Sequence, residues 1–169
     1  QDRYLDLDSR ISALTLAPPA VNSQEVSQTE ADNNDGEALP PAGEAYKSAM
    51  QLVRDKKFAE ARKAFDSFAE NYAGDALAVN AIYWSGEVSM VEGKLDVAVA
   101  RFRTVKEDHS GHSKAADASY KLAVVLDKSG KKAESKALLQ EVISQYAGKS
   151  DSTVSLAQAY LKKMQGTSE

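Results

Sequence analysis

Residues 44–165 repeat themselves at an offset of 37, and this period constrains the fold more than any other feature of the chain. Gly74, Gly111 and Gly148 fall in register, as do Tyr46, Tyr83 and Tyr120, and Ala49, Gly86 and Ala123. Further along each unit come Ala61, Ala98 and Ser135; Phe65, Phe102 and Leu139; Phe68, Val105 and Val142; and Tyr72, His109 and Tyr146. A first helix places the small residue at 49, 86 or 123 where its partner helix must come close. Gly93 and Gly130 then supply the positive φ that ends a helix. A second helix carries a small residue, an aromatic or leucine, and an aliphatic or aromatic residue at i, i+4 and i+7, which line one buried face. The Gly at 74, 111 or 148 reads as another helix stop.

Small and aromatic residues placed this way on paired helices are the pattern of tetratricopeptide repeats, whose usual length is 34 residues. The three extra residues fit in Gly74-Asp75-Ala76, Gly111-His112-Ser113 and Gly148-Lys149-Ser150. The expected fold is all-α: a right-handed superhelix of three helical hairpins over about 42–78, 79–115 and 116–152. A capping helix over 153–165 follows, giving seven helices, with a tail at 166–169. Leu156, Ala157, Tyr160, Leu161 and Met164 start a fourth unit that is never completed, as a cap over an open apolar flank should.

Two segments precede the array. In residues 1–16, Tyr4, Leu7, Ile11 and Leu14 follow spacings of three, four and three, the seam of a coiled coil, which predicts self-association. Residues 17–43 begin with Pro18-Pro19, end with Pro40-Pro41, and hold five acidic residues with no Lys or Arg. Such a stretch lacks the apolar surface to offset its ordering entropy and is expected to be a disordered linker. As a coil it would reach about 25–30 Å. Its Asp32-Asn33-Asn34-Asp35-Gly36-Glu37 run does not match a calcium loop, because Gly36 sits at position 5 and not 6. The chain begins at Gln1 without Met, which reads as a processed product or a fragment of a longer one.

The net charge is −4, and the acidic linker concentrates it, leaving 44–169 at +2 with no basic face for nucleic acid. There is no Cys, so thiol nucleophiles and thiolate metal sites are excluded. No apolar run is long enough for a transmembrane helix. The two His, at 109 and 112, lie at an inter-unit turn with no further ligands in the motif, and His109 shares the packing register of Tyr72 and Tyr146. No phosphate loop, nucleophile elbow or HExxH motif occurs. No catalytic, cofactor or metal residue is therefore assigned, and the chain reads as a non-enzymatic binder of protein.

In a tetratricopeptide array the first helices line a concave groove. The candidate ladders are Tyr46, Tyr83 and Tyr120; Met50, Glu87 and Val124; and Val53, Met90 and Asp127, with Asn80, Arg54, Asp117 and Lys128 at the margins. Tyr and Met give large contact area at low entropic cost. Trp84 is the candidate hot spot. The alternative is that the Tyr ladder packs helix on helix and no ligand reaches it.

The order of a coiled-coil segment, a low-complexity linker and three long repeats resembles the YbgF/CpoB family of Tol-Pal-associated periplasmic proteins. The most specific stretches are Tyr83-Trp84-x-Gly86 and Lys114-Ala115-Ala116-Asp117-Ala118. The resemblance implies a periplasmic protein whose precursor carries a signal peptide and whose coiled coil trimerises. It implies that the repeats bind TolA and communicate with a bifunctional peptidoglycan synthase, linking outer-membrane constriction to septal wall synthesis in cell division. Where family members often have Asn-Tyr-Pro, this chain has Asn71-Tyr72-Ala73, Asp108-His109-Ser110 and Gln145-Tyr146-Ala147. The second reading is a tetratricopeptide adaptor for a different partner, in the envelope or the cytosol.

Overall fold

The computed structural model describes residues 39–166. The Tyr4, Leu7, Ile11 and Leu14 seam, the linker up to residue 38, and residues 167–169 of the tail lie outside the described residues. Within 39–166 the chain forms seven helices and no strand: α1 (Ala42–Arg54), α2 (Phe58–Asn71), α3 (Ala78–Val91), α4 (Leu95–Asp108), α5 (Ala115–Lys128), α6 (Lys132–Gln145) and α7 (Asp151–Gly166). Each packs mainly on its neighbours in sequence, so the molecule is a row of hairpins, as the 37-residue register predicts.

Each hairpin turns the same way. The first helix ends with a residue at positive φ, Lys56 (59°), Gly93 (75°) or Gly130 (82°), in register at 37. The next N–H reaches back five residues, from Lys57 to Leu52, Lys94 to Ser89 and Lys131 to Leu126, at 2.9 Å each. This is a Schellman closure, and it leads directly into the second helix. Glycine pays no steric cost in that conformation, but the Cβ of Lys56 does. Lys56→Gly is therefore expected to raise stability by about 1 kcal/mol. The check is a urea midpoint at fixed m-value, and an unchanged or lower midpoint would show that the side chain of Lys56 outweighs its backbone.

The unit-closing glycines behave differently from the reading as helix stops. Gly74 and Gly111 have ordinary φ, and only Gly148 (70°) is left-handed. The helices stop earlier, at Tyr72, His109 and Tyr146, and a chain of short turns carries the backbone to the next unit. In those turns Asp75 Oδ1 accepts from the Leu77 N–H (2.7 Å), and the register mate of Asp75, His112, accepts at Nδ1 from the Lys114 N–H (3.1 Å). Tyr72 also donates its hydroxyl to the carbonyl of Pro40, anchoring the start of α1.

An accepting Nδ1 must be unprotonated. Burial, and then the charges of His109 and Lys114, hold the His112 imidazole below the usual histidine range. The unfolded chain thus takes up the proton first, so stability is full above the ordinary histidine pKa and falls as pH drops through it. The melting temperature should fall between pH 7.5 and 5.5. In His112→Asp, which copies the Asp75 cap, that fall should shrink. An equal fall in both proteins would mean that the turn does not depend on the neutral ring.

The core combines the inner faces of the second helices with the largely buried first helices α3 and α5. Ala61, Phe65, Phe68, Ala98, Phe102, Val105, Ser135, Leu139 and Val142 are all buried. The small residue of the first helix lets this row approach: a Cβ on Gly86 would stand 2.8 Å from Phe102 Cε1. Ion pairs link neighbouring hairpins, with Arg101 of α4 to Asp66 of α2 (3.0 Å), Arg62 of α2 to Glu92 at the end of α3 (2.8 Å) and Lys106 of α4 to Glu141 of α6 (2.9 Å). Burial alone would raise the Glu92 carboxyl, but hydrogen bonds and charge from Lys94 and Arg62 outweigh it and hold the group below the usual range.

Both ends of the array are finished in polar residues. Ala81, Trp84, Ser85 and Val88 of α3 are buried, whereas their register mates on α1, Glu44, Lys47, Ser48 and Gln51, are exposed. At the other end Lys163 of α7 is exposed where Ser89 and Leu126 are buried. Val154, Ala157 and Met164 face inward, so α7 covers the last hairpin, as capping requires.

Candidate functional site

The first helices α1, α3 and α5, continued by α7, form one layer whose members are tied side to side. Lys121 Nζ lies 2.9 Å from Glu87 Oε2, linking α5 to α3. Thr153 donates to Asp117 Oδ1 (2.7 Å) and the Tyr160 hydroxyl to Asp127 Oδ2 (2.9 Å), linking α7 to α5. Burial pushes the Tyr160 phenol up to about 12, and the bond to the Asp127 carboxylate adds to the effect.

The candidate groove residues divide into three groups on this layer. Arg54 and Lys128 are exposed, and Tyr46, Asn80, Met90, Asp117, Tyr120 and Asp127 are half-buried. Met50, Val53, Tyr83, Trp84, Glu87 and Val124 are buried. The Tyr ladder is consequently not a continuous open wall. Tyr83 is 1% exposed: its ring stands edge-on to Phe102 (5.6 Å, 63°) and to Trp84 (6.2 Å, 83°), and the Lys114 ammonium covers it at 5.1 Å from the centroid. Trp84, 2% exposed, stacks on Phe65 of α2 (6.4 Å, 18°). Both rings sit in packing contacts and present almost no surface, where the ladder reading expects a central contact and a hot spot. Lys114, at the start of the next first helix, closes over Tyr83, and Phe65 of the preceding second helix closes over Trp84.

Tyr46 and Tyr120 are intermediate. Tyr46 rests edge-on against Phe65 (5.7 Å) and Phe68 (5.5 Å). Burial pushes its phenol up, and the nearby Trp84 indole N–H offsets this only partly. That contact falls short of a hydrogen bond, since Trp84 Nε1 is buried and unpaired. Tyr120 meets Tyr160 edge-on (6.3 Å, 86°).

Glu87 is the residue whose environment the register did not foretell. Its ladder mates Met50 and Val124 are apolar, yet Glu87 is 5% exposed, with Oε2 paired to Lys121 and Oε1 buried without a partner. A charged residue in an otherwise apolar ladder was the available signal. Among the described residues no three His, Asp or Glu side chains converge as a metal site, and no helix is long and apolar enough to cross a membrane.

A row of helical hairpins with one layer of first helices is a tetratricopeptide-like architecture, and residues 45–75 and 117–148 match the tetratricopeptide repeat model. More particularly, the chain is similar to the cell division coordinator CpoB of Pseudomonas putida strain KT2440, at 40% identity over 50 residues. The same name and identity recur in a second Pseudomonas putida protein. The matched stretch covers 30% of this chain and 19% of each relative.

Proposed function

We propose that this chain is a periplasmic adaptor of the CpoB kind, which binds TolA and helps keep outer-membrane constriction in step with septal peptidoglycan synthesis. The observation that carries this reading is the partial identity to CpoB, joined to a tetratricopeptide-like architecture, which suits protein partners. The accessible part of the groove is Arg54, Asn80, Met90, Asp117, Tyr120, Asp127 and Lys128, with the edge of Tyr46. Membership of the Tol-Pal system would bring a bifunctional peptidoglycan synthase as an indirect partner and trimerisation through residues 1–16.

The test is calorimetric titration of the full chain with the periplasmic part of TolA from the same organism. Binding is expected, and the double change Arg54→Glu, Lys128→Glu at two exposed positions should weaken it by tenfold or more with little change in the melting temperature. Absence of binding by a folded chain rejects the TolA reading in favour of an adaptor for another partner. Binding that ignores the double change moves the site off the first-helix layer.

A further inference from the structure

The turn joining α5 to α6 meets the end of α7 at one corner of the array. Ser135 of α6 donates its hydroxyl to Met164 Sδ of α7 (3.7 Å). Lys132 and Lys163 share a cavity of about 100 Å³ with Asp127, Tyr160 and Met164, room for several waters or one phosphate group. Six lysines fall on this corner: Lys128, Lys131, Lys132, Lys136, Lys162 and Lys163, all exposed except the half-buried Lys136. Two carboxylates stand among them, Asp127 and Glu134, and Asp127 already accepts from the Tyr160 hydroxyl. Lys131, Lys132 and Lys162 form no ion pair among the described residues. The near-neutral charge of the whole array conceals this corner, because the balancing carboxylates lie on other turns.

The repeat register shows that the fold does not ask for these charges. The carboxylates Asp55 and Glu92 of the first two hairpin turns are replaced by Ser129 in the third. The half-buried apolar residues Phe58 and Leu95, which open the second helices, are replaced by the exposed Lys132. Val91 gives way to Lys128. Each departure adds a cation or removes an anion at the same corner. In the second turn, by contrast, Glu92 holds Lys94 at 2.7 Å and Arg62 at 2.8 Å, so charge is balanced locally.

The kind of cation narrows the partner. Arg54, Arg62, Arg101 and Arg103, the arginines among the described residues, all belong to the first two hairpins. A guanidinium fork grips a fixed carboxylate or phosphate through two hydrogen bonds, whereas the lysine ammonium is a mobile, strongly hydrated point charge. Lysines alone suit a partner whose anions are many and free to move beneath them. An anionic lipid surface is such a partner, and clusters of about four to eight basic residues are what it attracts. A single-stranded nucleic acid calls instead for exposed rings on which bases stack. Here Tyr160 is half-buried, edge-on to Tyr120 and tied to Asp127. We infer that the lysine corner of the third hairpin and α7 docks the protein on an anionic phospholipid surface, with a headgroup phosphate between Lys132 and Lys163. This rests neither on the first-helix layer nor on the identity of the protein partner.

The test is co-sedimentation of the full chain, at low salt, with vesicles of equal parts phosphatidylglycerol and phosphatidylcholine. Binding is expected, and it should fall steeply as added salt shortens the screening length. Vesicles of phosphatidylcholine alone should leave the protein in solution. The triple change Lys131→Glu, Lys132→Glu, Lys162→Gln should lower the partition coefficient at least tenfold with an unchanged melting temperature. Its two glutamates fall at the start of α6, where the helix dipole favours them. The control Lys47→Glu, Lys63→Glu, Lys149→Gln makes the same change in net charge at exposed positions on other elements and should keep most of the binding. No binding, equal binding to neutral vesicles, or an equal loss in the two triple variants would each overturn the inference. Tighter binding of a DNA oligonucleotide or of polyglutamate than of the vesicles would assign the corner to that polyanion and overturn it as well.

Discussion

Tyr83→Ala is expected to destabilise the repeat domain by about 3–5 kcal/mol, the range for removing a large aromatic side chain from a core. The ring is in contact with Phe102 and Trp84 and lies beneath the Lys114 ammonium, so its deletion leaves a cavity between the second and third hairpins. The surroundings are poorly placed to collapse into it: Phe102 is pinned against Gly86, and Trp84 is stacked on Phe65. Tyr120→Ala, at a half-buried position and edge-on to Tyr160, should cost clearly less. Urea midpoints of the two variants give the comparison, and partner affinity measured well below the melting transition gives the control. Affinity should survive Tyr83→Ala, because the ring offers no surface to a ligand. A Tyr83→Ala protein that melts normally but has lost its partner would place the ring in the groove after all and mean that Lys114 moves off it on binding.

The contrast between Tyr83 and its register mates shows where sequence reasoning stops. The 37-residue period located the hairpins, because Ala61, Phe65 and Phe68 and their mates repeat a burial pattern that only paired helices satisfy. It also located the turns at Gly93 and Gly130, although it passed over Lys56, since the same backbone conformation in the first unit is carried by a residue that does not advertise it. The groove was harder to read. Periodicity gives the direction in which a side chain points, and the face bearing Tyr46, Tyr83 and Tyr120 lies on the border between core and groove. Which side of that border a ring occupies depends on contacts between units at offsets other than 37: Lys114 over Tyr83, Lys121 to Glu87, Tyr160 to Asp127. Columns of equivalent residues do not reveal such contacts, because each partner sits in a different column. The same limit applied to His112, whose capping role follows from Asp75 one unit earlier and not from its chemistry as a histidine.

Lys121→Ala is the second large effect, expected at about 3–5 kcal/mol, because it strands a buried carboxylate whose other oxygen already lacks a partner. The pair itself is worth much less than that figure. Taking both charges out of water offsets most of their attraction, and an apolar replacement of similar volume is often neutral or stabilising by about 1–4 kcal/mol. The repeat supplies its own template for that replacement, since the positions equivalent to Glu87 are Met50 and Val124, both buried and apolar. The double change Glu87→Met, Lys121→Met should therefore recover the loss and can exceed the parent, whereas each single removal of charge is destabilising. Urea unfolding at neutral pH of the parent, Lys121→Ala, Glu87→Met and the double variant measures the coupling directly. If the double variant is no more stable than Lys121→Ala, then Lys121 contributes through the packing of its methylene stem and not by compensating the carboxylate. If it recovers stability and loses partner affinity, the charged pair is kept for what meets α3, at a cost to the fold that the flanking units do not bear.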